Sequence, residues 1–153
     1  MELMQYTIKM KGFTLETNLK DFNDLICGDA DAITQAVENI VSNAIRFSAE
    51  KKEIIVSTFF NQGFACVSVK DYGIGLDQFD INKIFDPFFR TESARSKKIE
   101  GTGLGLPIVK LVIEEHKGKV LIDSLPDKGS VFTLCFPILA NNKGDSNEEN
   151  INY

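Results

Sequence analysis

The 153-residue sequence predicts an α+β domain, with helices on one face of a mostly antiparallel sheet. Two observations carry this. Stretches of strand composition stand side by side, as in "EIIVSTFF" and "FACVSVKD", joined by a short glycine-bearing loop around Asn61-Gln62-Gly63. Stretches with a helical period fall between groups of strands without strict alternation, which disfavours a doubly wound parallel sheet.

Taken in order, Tyr6–Met10 and Phe13–Leu19 have β-type composition with partial alternation and are expected as strands. "GDADAITQAVENIVSNAIRFS" changes to a helical period. Asp29 or Asp31 can cap it, and Ile33, Val37, Ile40, Val41, Ala44 and Ile45 form its apolar stripe. After the hairpin, "DYGIGLD" breaks the second strand and "INKIFDPFFR" reads as a short amphipathic turn or helix. A charged segment from Thr91 to Glu100 leads into "GTGLGLPIVK", and Gly103 to about Glu115 is expected as a helix. Lys119–Asp123 and Ser130–Phe136 are the closing strands. The tail from 140 to 153 is polar and acidic and is expected to be disordered, leaving residues 1–139 as one domain.

Composition narrows the class. Hydrophobic content of 43% and charged content of 25% suit a soluble globular chain. No apolar run approaches the roughly 20 residues that span a bilayer, and neither a secretory signal nor direct membrane insertion is expected. A net charge of −5 with no broad basic stripe argues against nucleic acid as a partner. Cys27, Cys66 and Cys135 lie far apart in sequence, so they are expected as reduced residues of a cytoplasmic protein, with no disulfide and no zinc.

Four constellations carry chemistry. Asn39, Asn43 and Arg46 are spaced i, i+4, i+7 and so share one helix face. Asparagine competes with the backbone inside a helix, and two beside an apolar stripe need a reason beyond a solvated face. An amide oxygen is a hard ligand of the kind Mg²⁺ accepts, and arginine grips phosphate. Second, Asp71 stands at a strand end in "DYGIG", where its carboxylate can accept from an exocyclic amine; a plain tight turn is the alternative. Third, "FDPFFR" offers Phe85, Phe88 and Phe89 as packing residues and Arg90 at the mouth of the charged segment. Fourth, glycines at 101, 103 and 105 precede a helix whose unpaired N–H groups suit phosphate, though an ordinary loop-to-helix junction also explains them. The spacing matches neither the dinucleotide fingerprint nor a P-loop.

The order of these four closely resembles the catalytic, ATP-binding domain of two-component sensor histidine kinases. The matching segments are "ENIVSNAIRFS", "DYGIG", "FDPFFR" and "GTGLGLPIVK", and the likeness extends from about Phe13 to Ile138. It implies a two-layer α/β sandwich, with a mixed sheet of about five strands and three main helices on one face. ATP would lie between the long helix and a flexible lid. Asn43 matches the Mg²⁺-binding asparagine, with Asn39 and Arg46 supporting metal and phosphates. Asp71 matches the residue that holds the adenine amine, with Gly73 and Gly75 shaping that pocket and Arg90 beside the lid. Gly101, Thr102, Gly103, Leu104, Gly105 and Leu106 match the lid's end and its phosphate-facing backbone. Thr133 is a further adenine-side candidate, although a plain strand threonine explains it equally well.

Gyrase- and MutL-type ATPases of the same fold carry a glutamate base four residues before the metal-binding asparagine. Here that position is Asn39, whose amide takes no proton at neutral pH, and Glu38 is turned about 100° away. The likeness therefore implies a histidine kinase domain that saves its phosphate for a protein acceptor. The one histidine, His116, is expected at an exposed helix terminus and not as that acceptor. The implied partners are the parent kinase's dimerisation and histidine-phosphotransfer domain and, indirectly, a response regulator. A nucleotide-binding module without transfer activity and an anti-sigma-type serine kinase share the same site and stay open at this point.

Overall fold

The computed structural model describes residues 2–21, 26–48 and 50–139, so the tail beyond 139 lies outside the described residues. The elements run α1 (Glu2–Met10), β1 (Thr14–Asn18), α2 (Ala30–Phe47), β2 (Glu53–Asn61), β3 (Phe64–Lys70), α3 (Gln78–Ile81), α4 (Glu92–Ser96), α5 (Gly105–Glu115), β4 (Lys119–Leu125) and β5 (Gly129–Pro137). The five strands form one sheet in the order β1-β2-β3-β5-β4. β1 pairs with β2 in parallel, across the α2 crossover, and the other pairs are antiparallel. This is the α+β architecture that the order of elements predicts.

One expected strand is a helix. Tyr6–Met10 belongs to α1, because Met4 and Ile8 stand four residues apart on one helix face. Ile8 enters the core and Met4 packs against it, while Tyr6 and Met10 stay exposed. Strand composition there loses to the burial that a 3.6-residue period allows.

α2 is capped by Asp29, whose carboxylate accepts from the N–H groups of Asp31 and Ala32. Its stripe of Ala36, Ile40, Val41, Ala44 and Ile45 is buried against the sheet face carrying Ile54, Val69, Phe132, Leu134 and Phe136. Val109 and Ile113 of α5 close the same core.

Two expectations about single residues are corrected. His116 ends α5 but is half-buried: its Nε2 accepts the N–H of Asp29 at 2.9 Å, and its ring meets Phe136 edge-on at 5.9 Å. Cys66 and Cys135 are joined in a disulfide, because β3 and β5 place them directly opposite each other despite a sequence separation of 69. Cys27 is the free, exposed thiol. Leu134 and Phe136 face the core, so Cys135 between them puts the bridge on the sheet face away from the helices.

Ile40, Ile54, Leu134 and Val109 are the largest fully buried side chains. Ile40→Ala should therefore lower unfolding free energy by roughly 2–5 kcal/mol in urea melts. Leu111→Ala, at a side chain 58% exposed, should change it by no more than about 0.5 kcal/mol.

Candidate nucleotide site

Asp71 follows the last residue of β3, and two backbone contacts tie it to β5. Its N–H donates to the Ser130 carbonyl at 2.9 Å. Its Oδ1 accepts from the N–H of Gly73 at 2.8 Å and, more weakly, from that of Ser130 at 3.3 Å. Oδ2 makes no hydrogen bond within the described residues. The side chain is 6% exposed, and burial pushes its pKa up to about 6 against the pull of the two N–H donors. A buried carboxylate with one oxygen satisfied and one free is an acceptor awaiting a donor.

The turn after Asp71 depends on glycine. Gly75 has φ +64°, and a Cβ there would lie 1.9 Å from the Leu125 carbonyl oxygen. The chain passes so close to the end of β4 that the Ile74 carbonyl accepts from Asp127 and the Leu76 N–H donates to Ser124 Oγ. These contacts seat Ile74, Gly75 and Leu76 along a cleft whose non-atom space, open mouth included, is about 810 Å³.

Asn43 and Arg46 line the same cleft, away from Asp71 in sequence but brought to it by α2. Neither side chain has a hydrogen-bond or ion-pair partner within the described residues. Asn39 stands one turn earlier, its Oδ1 3.4 Å from where a Cβ on Gly105 would sit. Gly101 packs against the Arg46 guanidinium, and Gly105 opens α5. α5 starts after Leu104 without a side-chain cap, so its first N–H groups stay open beside Asn39 and the cleft. Gly103 has φ +72° and packs its backbone onto Phe88 and Phe89, where a Cβ would come within 2.8 Å. Glu38, by contrast, lines a different groove, between α1 and α2.

Arg90 lines the cleft and donates to the Ile99 carbonyl, closing the base of the charged segment. That segment contains α4, capped by the Thr91 hydroxyl, with Ala94 buried against the cleft. Lys97 reaches Asp127 in an exposed ion pair at 4.0 Å. Phe85 and Phe89 pack on the core as expected. Phe88 does not: it has φ +64° and is 70% exposed, because the turn that carries it points its ring outward.

The cleft thus gathers Asn43, Arg46, Asp71, Gly75 and Arg90 with Gly101, Gly103, Gly105 and Leu106. Asn39 and Gly73 support it from behind, whereas Thr102 and Leu104 are not among its lining residues. Thr133 is not brought there: it lies between the core residues Phe132 and Leu134, so alternation puts it on the opposite sheet face. Sequence reasoning missed several lining residues, among them Ile74, Leu76, Ile84, Phe132 and the hydroxyl-bearing Ser130. The signal for Ser130 was its place directly after Gly129, at the start of the closing strand.

Comparison with known proteins agrees with this geometry. Residues 28–140 match the family described as histidine kinase-, DNA gyrase B-, and HSP90-like ATPase. The chain is 38% identical over 133 residues to the sensor histidine kinase WalK of Bacillus subtilis, covering 86% of this chain and 22% of that protein. It is 38% identical over 123 residues to the sensor-like histidine kinase SenX3 of Mycolicibacterium smegmatis, covering 80% and 32%. It therefore spans about a fifth to a third of the length of these relatives. The nucleotide-free catalytic domain of histidine kinase ThkA superposes with a TM-score of 0.74 at 28% identity, covering 89% of this chain and 87% of that one. Full-length ShkA in complex with AMPPNP gives 0.75 at 25% identity, covering 90% and 28%. With its fold, its cleft and the family match in agreement, the chain belongs to the histidine kinase-, DNA gyrase B- and HSP90-like ATPase family, as a catalytic ATP-binding domain of the sensor histidine kinase kind.

Proposed function

We propose that this chain binds ATP with Mg²⁺ and delivers the γ-phosphate to a histidine on a separate dimerisation domain, from which a response regulator takes it. The observation that carries the reading is one cleft with a free carboxylate oxygen on Asp71 and the unpartnered amide and guanidinium of Asn43 and Arg46. Asp71 accepts the adenine amine. Arg46 and the open N–H groups of α5 receive phosphate oxygens. The amide oxygen of Asn43 is the protein ligand suited to Mg²⁺, which when bound draws charge from the phosphates.

Asn39 cannot serve as a base for water, and Glu38 faces another groove, so hydrolysis lacks its usual catalyst. Phosphate is saved for the acceptor. No described helix is long and apolar enough to cross a membrane, and the reading places this chemistry in the cytoplasm, where ATP is held. The disulfide lies on the far sheet face, and neither of its cysteines lines the cleft.

Asn43→Ala should keep adenosine binding and lose the Mg²⁺ dependence of ATP binding. Calorimetry with Mg²⁺ and with chelator checks this; a retained Mg²⁺ advantage would remove Asn43 as the ligand.

Asp71→Asn should weaken ATP binding at least about tenfold, since a hydrogen bond to a charged group is worth roughly 1.5–3 kcal/mol. The pH dependence has a definite sign. The folded pKa of about 6 lies above the ordinary carboxylate value of 3.8, so Asp71 stabilises the ligand-free fold when protonated, and loses that contribution as pH rises from about 4 through 6. The difference is on the order of 3 kcal/mol. The amine needs the ionised form, so ATP affinity should rise from pH 5 to 7 and then level off. Titrations at stepped pH should show that rise in the wild type and a flat profile in Asp71→Asn.

The segment 91–100 buries only Thr91 and Ala94 among its residues, so little burial offsets the entropy of ordering it. Hydrogen exchange there should slow with Mg²⁺ and a non-hydrolysable ATP analogue, and slow less with ADP. Equal exchange with and without saturating analogue would reject the lid.

A further inference from the structure

Two buried hydroxyls meet behind Asp71. Ser124 of β4 and Ser130 of β5 are cross-strand partners, and their oxygens are 2.9 Å apart. Ser130 lines the cleft, whereas Ser124 does not. Ser124 Oγ also accepts the N–H of Leu76 at 2.9 Å and donates to the carbonyl of Gly129 at 3.0 Å. A serine hydroxyl has one proton and two lone pairs. The Leu76 amide only donates, so it occupies a lone pair; the Gly129 carbonyl only accepts, so it takes the proton. One lone pair remains on Ser124, and the Ser130 hydroxyl donates into it. The Ser130 oxygen then presents lone pairs, and no proton, to the cleft.

We propose that Ser124 is a positioning residue that sets nucleobase choice. By engaging the proton of Ser130, it makes the wall beside Asp71 acceptor-only, suited to a 6-amino purine and hostile to a 6-oxo purine. The inference rests on the ATP reading of the cleft and deepens it. A lone carboxylate does not discriminate, because it accepts from the amine of adenine and equally from the N1–H of a 6-oxo purine. A second acceptor beside it does discriminate: facing a carbonyl O6, neither group has a proton to share, and both are left unpaired. Ser124 acts only through Ser130 and touches no base.

The test is calorimetric titration of ATP and ITP, which differ at the 6-position of the base, against the wild-type chain and its variants. Ser124→Ala frees the Ser130 proton to turn into the cleft, so the ratio of ATP to ITP affinity should fall by roughly fivefold or more. Ser124→Thr, which keeps the hydroxyl, should restore the ratio, and Ser130→Ala should lower it as Ser124→Ala does. A merely structural serine would lower both affinities together and leave the ratio alone. Thermal melts identify a variant that fails to fold. If Ser124→Ala is that variant, Ser130→Ala and Ser124→Thr decide: an unchanged ratio in Ser130→Ala overturns the inference. A wild-type chain that prefers ATP, with an unchanged ratio in both alanine variants, overturns the inference and leaves the ATP reading standing. A wild-type chain that binds neither nucleotide overturns both.

Discussion

A single carboxylate oxygen holds one side of the cleft together. Asp71 Oδ1 accepts the N–H of Gly73 and that of Ser130, binding the turn after β3 to the start of β5. Everything on that side depends on this knot. Gly75 then runs against Leu125, Leu76 reaches Ser124, and Asp127 closes on Ile74. The same bonds set the electrostatics. They orient the carboxyl but satisfy only one oxygen, and burial raises its pKa to about 6, so it is half-protonated near that pH. The fold tolerates this poised carboxyl because its second oxygen faces a cleft open to solvent and ligand.

α2 serves the other side by dividing its circumference. One stripe is sealed into the core through Ile40, Ala44 and their neighbours. The next face carries Asn39, Asn43 and Arg46, which have no side-chain hydrogen-bond or ion-pair partner among the described residues. Because the apolar stripe fixes the helix rotation to the sheet, the polar face has no freedom to turn away. Core packing therefore aims the end of the cleft proposed to take phosphate. The α5 start, left uncapped after Leu104, is aimed by the same core through Val109 and Ile113.

Much of this was legible in the sequence, because the residues that build the cleft are unusual for where they stand. Asparagines inside a helix, an aspartate at a strand end before two glycines and glycines before an apolar helix each break a local preference. What escaped had no such signature. Tyr6–Met10 has strand composition, and only the burial of Ile8 reveals a helix. Phe88 is apolar but sits at a turn that throws its ring outward. Cys66 and Cys135 are distant along the chain, and their pairing follows from an antiparallel register that composition does not encode. Thr133 and Ser130 are both strand hydroxyls; which one faces the cleft is settled by a phase of one residue. Ser124 is farther still from notice, since its role exists only through contacts with Leu76, Gly129 and Ser130, which the fold brings to it.

The engagement of His116 has a stoichiometric meaning. A backbone N–H can only donate, so the Nε2 that faces Asp29 carries the lone pair and the proton sits on Nδ1, against the Val112 carbonyl. Both nitrogens of the chain's one imidazole are thus committed, Nε2 to tying the end of α5 to the head of α2 and Nδ1 to the backbone of α5 itself. Neither offers a vacant lone pair to an incoming phosphoryl group unless that tie is broken. On the function proposed above, the phosphorylated imidazole would therefore be one outside this domain, and the mark of activity would be sought on the acceptor.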